Sequence, residues 1–284
     1  MRKLTPKDYD ETEFNKFVFT QTGNVRSHLN LMTTDITNVK SRFTNYQSYK
    51  KTLEYLENSS PSIFQTSNLN DSLFGLYDSA SQDTKNLKEA IQKISEIKCP
   101  YCGIDTPSHL DHFLPRSKFP EFSIFTPNLI YVCSICNSKY KGDDVVNVAG
   151  ERKFFNPYFD DFIDSIQFLK CEILVGTSTY PEFRFYIDSS CSTTNGYGYK
   201  IIKNHFDYME LQPRYMEQIA KEKFVRFKNR YIGKDVSLDK LKENIEYELG
   251  GLSDLNDNNW EKVFLESLKD SDECLMLIVD KKIT

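Results

Sequence analysis

The chain has no apolar run approaching the length of a membrane span, and Met1-Arg2-Lys3 leads into polar sequence, not the apolar core of a secretion signal. Both absences lead us to expect a cytoplasmic protein that engages no membrane. There is no internal repeat and no strong low-complexity tract. There is no cationic surplus either: 36 Lys and Arg stand against 41 Asp and Glu, a formal net charge of -5. Free-standing nucleic-acid binders draw much of their affinity from surplus Lys and Arg on phosphates, and overall charge cannot supply that grip here. Cysteine is sparse, with seven in 284 residues. Four fall in two close pairs; Cys171, Cys191 and Cys274 are an odd remainder at irregular spacing, which suits reduced thiols. What is present is 39% hydrophobic and 14% aromatic residues, enough to bury a sizeable core as one large domain or two small ones.

The pairs are Cys99-x-x-Cys102 and Cys133-x-x-Cys136. Each sets two thiolates on one tight turn, and two such turns form the closed tetrahedral sulfur cage that Zn²⁺ favours. Two disulfides or chance spacing are the alternatives. A closed cage leaves no position for substrate, so such a zinc is structural and any chemistry lies between the pairs. There the chain reads Leu110-Asp111-His112-Phe113-Leu114-Pro115-Arg116-Ser117, then Asn128-Leu129-Ile130-Tyr131-Val132, then Asn137-Ser138-Lys139-Tyr140-Lys141 after the last cysteine. Pro115 ends a short strand, Phe119-Pro120 marks a loop, Leu129 to Val132 reads as a returning strand, and the segment after Cys136 is helix-compatible up to Gly142. The order is knuckle, strand, loop, strand, knuckle, helix: a ββα unit with its ends pinned together.

On these residues the chain resembles the HNH endonucleases, the ββα-metal nucleases that carry stabilising Cys-x-x-Cys pairs. Asp111-His112 matches the first motif, Asn128 the second and Asn137 the third, over about Cys99 to Lys141. Many members have His at the third position; the HNH domain of the RNA-guided CRISPR nuclease has Asn, as here. The resemblance implies metal-dependent hydrolysis of a phosphodiester bond, in DNA or in RNA such as tRNA. It makes His112 the base that activates water, because imidazole changes charge near neutral pH. Asp111 and Asn137 become ligands of a catalytic divalent ion, and a neutral amide oxygen suits Mg²⁺ or Mn²⁺. Asn128 then holds the catalytic loop and orients the His112 ring. Adjacent residues on a regular strand face opposite ways, so Asp111 and His112 can share a site only at a twist or a strand end. Arg116, Lys139 and Lys141 border this site and are the candidate nucleic-acid contacts. His109 reads as solvated or packed.

The expected class is α+β, a mostly helical chain with a central zinc-stapled ββα core. Residues 1–98 read as a helical N-terminal region, with Thr5-Pro6 as a cap and helices near Asn45 to Leu56 and Thr84 to Lys98. Residues 99–145 are the core. Residues 146–232 hold an Asn156-Pro157-Tyr158 turn, a hairpin (Phe168 to Val175 with Phe183 to Ile187) and a basic helix from Pro213 to Ile232. That helix carries Arg214, Lys221, Lys223, Arg226, Lys228 and Arg230, either a solvated face or a substrate-facing stripe. Residues 233–284 form an acidic helical tail, with helices near Leu238 to Leu249 and Trp260 to Leu268 and Asn258 opening a capping box with Glu261. This order of parts is similar to the HNH subunits of Septu-type and retron-associated anti-phage systems, which work with an ATPase partner. A protein partner would offset the acidic balance. The competing classes are a non-catalytic zinc adaptor and a stand-alone restriction or homing enzyme.

Overall fold

The computed structural model describes residues 1–8, 33–65, 67, 69–94, 98–176, 180–231 and 234–279. Among these residues the fold is α+β with helix far outweighing strand, 53% against 9%. The chain divides into two compact units, one of residues 3–161 and one of residues 1–2 with 162–284. The boundary at Asp161 therefore differs from the 98, 145 and 232 boundaries read from sequence.

The first unit wraps helices around the ββα core. Helix α1 (Thr33–Tyr49) buries Ile36, Val39, Phe43 and Tyr46, spaced for one helical face. That face packs on the loop between the core strands. Phe43 stacks on Phe125 at 4.4 Å, Tyr46 stands edge-on to Phe122 and Phe125 at 5.1 Å, and the Tyr46 hydroxyl donates to the Pro127 carbonyl at 3.1 Å. A single helix from Asn45 to Leu56 is not found: α1 stops at Tyr49 and α2 (Glu54–Ser59) starts afresh. No Pro or Gly marks that break. Leu53 is fully buried in it, and the Lys51 carbonyl accepts from the Arg152 guanidinium at 3.5 Å. Residues 1–8 carry no regular secondary structure, so no helix starts at Thr5-Pro6 among the described residues, and the rest of that expected helix lies outside them. Helix α3 (Asn70–Gly75), a 3₁₀ turn (Leu76–Asp78) and α4 (Gln82–Ile94) follow. Helix α4 buries Thr84, Leu87 and Ile91, and Ser81 Oγ accepts from the Thr84 N–H at its start.

Strands β1 (His109–His112) and β2 (Leu129–Val132) pair antiparallel, Asp111 opposite Ile130 and His112 opposite Leu129. Strand β1 ends at His112, before the expected stop at Pro115. The helical element after β2 is a π-helical turn, Cys136–Lys141, stopped by Gly142 at φ 58°, a left-handed conformation that favours glycine. The Asn156-Pro157-Tyr158 turn braces the core. Asp160 accepts from the Asn156 N–H at 2.6 Å and from the Arg152 guanidinium at 2.7 Å, and the Tyr158 hydroxyl donates to the Leu129 carbonyl at 2.7 Å. Asp160 is thus a structural turn residue.

The second unit is built on the expected hairpin, β3 (Leu169–Leu174) and β4 (Glu182–Ile187), antiparallel with Cys171 opposite Phe185. Phe183 and Phe185, on one face by period two, meet Phe264 at 5.1 Å and Tyr215 at 5.3 Å. The basic segment is not one regular helix: α-helical Leu211–Tyr215, a π turn Met216–Ala220 and α-helical Lys221–Asn229 follow one another, with Ala220, Phe224 and Phe227 buried. Most of its cations are engaged within this unit. Lys223 pairs with Glu248 at 3.3 Å and Glu261 at 2.6 Å, Arg230 with Glu248, Arg226 with Glu222, and Arg214 is buried, donating to the Met209 carbonyl at 3.2 Å. Glu248 and Glu261 come from the tail helices Leu238–Gly250 and Trp260–Asp270, so the acidic tail neutralises two cations of the basic stripe, Lys223 and Arg230. Asn259, not Asn258, caps the Trp260 helix, accepting from the Glu261 and Lys262 N–H groups at 2.9 and 3.2 Å. Asn258 is buried and bonds the Phe168 and Leu169 N–H groups and the Ile163 and Ile166 carbonyls instead. No helix among the described residues is long and apolar enough to cross a membrane.

Candidate active site and metal centre

The four paired cysteines are buried and their sulfurs all lie within 4.8 Å of one another. Gly103, at φ 70°, lets the first knuckle turn, its N–H bonding the Cys99 carbonyl at 2.8 Å. Backbone N–H groups point at sulfur in both knuckles: Ile104 to Cys102 and Cys136 to Cys133, each at 3.4 Å. Cys102 and Cys133 sulfurs are 3.9 Å apart. A tetrahedral cage with metal–sulfur bonds of about 2.3 Å has edges of roughly 3.8 Å, whereas a disulfide needs about 2.05 Å. None of the seven cysteines forms a disulfide, so the two-disulfide alternative falls. Hydrogen bonding among the thiols, with Cys102 foremost, and then burial push Cys136 well up, and burial pushes Cys99 up. Four thiolates so close are tolerable only around a cation. The cluster can hold a structural metal ion, and its donor set and spacing suit zinc.

Asp111, His112 and Asn137 line one cleft of about 650 Å³ in the first unit. The end of β1 at His112 is what lets adjacent residues share it. The Phe113 N–H bonds the Asn128 carbonyl at 2.8 Å, and there the chain leaves the sheet. Asn128 is fully buried: its side-chain oxygen accepts from the Leu114 N–H at 2.8 Å and its amide donates to the Leu114 carbonyl at 3.0 Å and the Phe122 carbonyl at 3.5 Å. It ties the chain leaving His112 to the turn before Ser123. The ring itself is fixed by Ser123, a residue sequence reasoning missed. His112 Nε2 lies 2.9 Å from the Ser123 carbonyl oxygen. A carbonyl only accepts, so Nε2 carries the proton and Nδ1 keeps the lone pair. Burial, with the Arg116 and Lys141 charges as lesser causes, lowers His112 to about 3. The imidazole is neutral with its lone pair at Nδ1, and burial makes it a weaker base than the imidazole changing charge near neutral pH that the sequence suggests. Tyr77, from the 3₁₀ turn, stands edge-on to it at 4.6 Å.

Asp111 is 5% exposed and engaged at both oxygens: Tyr101, inside the first knuckle, donates to Oδ2 at 2.7 Å, and Lys141 Nζ lies 3.1 Å from Oδ1. Lys141 also donates to the His112 carbonyl at 2.8 Å, and its side chain is 1% exposed. The expected role of Lys141 as a nucleic-acid contact is therefore corrected: it is an interior ion-pair partner that ties the last helical turn to β1. Removing one partner of a buried pair strands the other charge, a loss of about 3–5 kcal/mol. Lys141→Met is expected to destabilise by that order in urea unfolding, with Asp111→Asn/Lys141→Met recovering most of it. A single variant within about 0.5 kcal/mol of the parent would refute the pairing.

Asn137 sits half-buried in the cleft wall, its N–H bonded to the Cys133 carbonyl at 3.1 Å; among the described residues its side-chain amide has no hydrogen-bond partner. Arg116 lines the cleft, paired with Asp78 at 2.8 Å. Lys139 is exposed, bonded to the Tyr140 hydroxyl at 3.0 Å, and lies outside the cleft lining. Exposed His109 bonds Ser108 Oγ through Nδ1 at 2.8 Å, on the rim. Lys118, two residues after Arg116, is taken by Glu57 at 2.5 Å and Asp144 at 2.6 Å. Sequence reasoning missed the wall supplied by α3 and α4, with Tyr77 and Lys88. One signal was available for Lys88: it falls at helical spacing between Thr84 and Ile91, on the edge of the buried face.

Over 189 aligned residues the chain is 29% identical to Protein ea31 of Escherichia phage lambda, an alignment covering 62% of each. The matched stretch thus spans less than two thirds of that relative's length. No protein-family model matches the chain, and no solved structure matches it.

Proposed function

We propose that the protein is an HNH-type endonuclease that hydrolyses phosphodiester bonds in nucleic acid, its fold stapled by a zinc ion on Cys99, Cys102, Cys133 and Cys136. The observation that carries this reading is the meeting of Asp111, His112 and Asn137 in one cleft, with His112 held neutral and its Nε2 proton spent on Ser123. Nδ1 is then the acceptor for the proton of an attacking water, without any loss of charge state across the physiological range. Asp111 and Asn137 offer a carboxylate and an amide oxygen to one Mg²⁺ or Mn²⁺, which when bound neutralises charge on the phosphate and the leaving oxygen. The Lys141 ammonium and Tyr101 hydroxyl orient the Asp111 carboxylate, and Asn128 positions the loop that carries Ser123.

The most direct test incubates the purified chain with DNA and RNA, with and without Mg²⁺ or Mn²⁺, beside a His112→Ala variant. A metal-dependent cleavage absent from the variant supports the reading; no cleavage under any condition supports a zinc adaptor. The engagement of both Asp111 oxygens favours that second reading.

The proposal extends to a protein partner, such as the ATPase subunit that accompanies the anti-phage HNH subunits whose order of parts is similar. Support comes from charge: the chain is acidic overall, and most cations of the Arg214 to Arg230 segment are committed to carboxylates or carbonyls. A partner that supplies phosphate contacts is expected to raise cleavage at physiological salt when co-expressed from neighbouring genes. Tight binding and cutting by the isolated chain at that salt would replace this with a stand-alone enzyme.

A further inference from the structure

Resting on the nuclease reading, we infer that Lys88 and Arg116 form a seat for a backbone phosphate of the substrate, one that recognises charge and not base identity. Both line the cleft that holds His112. Lys88 Nζ lies 3.7 Å from the Tyr77 ring centroid; the Arg116 guanidinium lies 4.0 Å from that of Phe74 and 5.0 Å from that of Tyr77. Tyr77 is also the ring that meets His112, which puts the two cations one side chain from the proposed base.

The arrangement suits an anion. Lys88 has no hydrogen bond or ion pair among the described residues, and burial, assisted by repulsion from Arg116, lowers its pKa while Asp78 opposes this. An anion bound in the cleft that both cations line relieves both effects. The counter-charge on Arg116 is Asp78, 58% exposed and so strongly screened. The other nearby cations are unavailable: Lys141 is buried on Asp111, and Lys118 is held by two carboxylates. Stacking is disfavoured, because Tyr77 and Phe74 already carry cations over their rings and offer a base no open platform there. A lone chain that lacks surplus charge would then concentrate its phosphate grip beside the reacting bond.

The test measures binding apart from chemistry. Fluorescence anisotropy of the full-length protein, with no added Mg²⁺ or Mn²⁺, is read on a labelled single-stranded DNA, its duplex and the matching RNA strand, each in several base sequences. Losing one phosphate contact removes about 0.9 from the salt slope on duplex and about 0.7 on single strands, or roughly eightfold and fivefold in affinity at ~0.1 M salt. Lys88→Gln is expected to show that loss equally for every sequence, Lys88→Arg to retain binding, and Arg116→Gln to behave like Lys88→Gln. The arm that binds tightest identifies the nucleic acid. Unchanged affinity and slope in Lys88→Gln, a loss that varies with base sequence, or no binding by the parent protein would each overturn the seat. A parallel assay in Mg²⁺ separates the two ideas. Cleavage by the parent with Lys88-independent binding removes the seat and keeps the nuclease; Lys88-dependent binding without cleavage keeps the seat and removes the nuclease.

Discussion

A Cys99→Ser/Cys136→Ser double variant is expected to purify without zinc and without a cooperative thermal transition for the first unit. Each knuckle would keep one thiolate, too few for a closed cage. Structural zinc contributes about 10–16 kcal/mol of binding free energy that is also folding free energy, against a net stability of roughly 5–15 kcal/mol for a whole domain. The loss falls on the segment that depends on the staple most. Strands β1 and β2 have four residues each, and the chain between them is held by Asn128 and by packing against α1. A two-stranded sheet of that size is not stable alone. Metal analysis with differential scanning calorimetry checks this, and one equivalent of zinc retained by the double variant would show that the cage has been misread.

The second large effect is expected at His112. Removing a general base costs about 10²–10⁴ in rate, so His112→Ala should be nearly inactive while keeping its zinc and its fold. A pH series adds a readout independent of catalysis. His112 is held at about 3 in the folded chain, mainly by burial, against an ordinary value of about 6.5. Between those values the unfolded chain binds the proton and the folded chain does not, so stability falls as pH drops through that window and levels off below it. The parent protein should therefore lose more stability than His112→Ala between neutral pH and about pH 3. Wild-type turnover in the variant would end the assignment of the base. Parallel pH profiles of stability would end the account of the buried ring.

Local geometry accounts for what could be read in advance. Two Cys-x-x-Cys turns announce a metal cage because spacing alone puts paired thiols on one knuckle. The β3–β4 hairpin and the Leu238 and Trp260 helices follow from periods of two and 3.6 residues, which tertiary packing had only to accept. The Asp111-His112 doublet announced a shared site, and the strand end that this requires is there. Near misses were also local. Asn258 and Asn259 are equally good caps by type, and the choice fell to whichever was not needed to satisfy the buried Phe168 and Leu169 N–H groups.

Sequence by itself thus determined the α+β class, the four cysteines that could hold a metal ion, and the trio Asp111, His112 and Asn137. Tertiary structure decided where charge goes. Lys141 reads like Lys139 in the chain, yet one is sealed against Asp111 and the other is exposed. In the basic stripe from Arg214 to Arg230, Lys223 and Arg230 are neutralised by tail carboxylates some twenty to forty residues away, while Lys88, in the helix read from Thr84 onward, reaches the cleft. The physical reason is range. Helix and strand periodicities are set by neighbours within a few residues, but the fate of a charge depends on which desolvated partner the completed fold brings within about 4 Å.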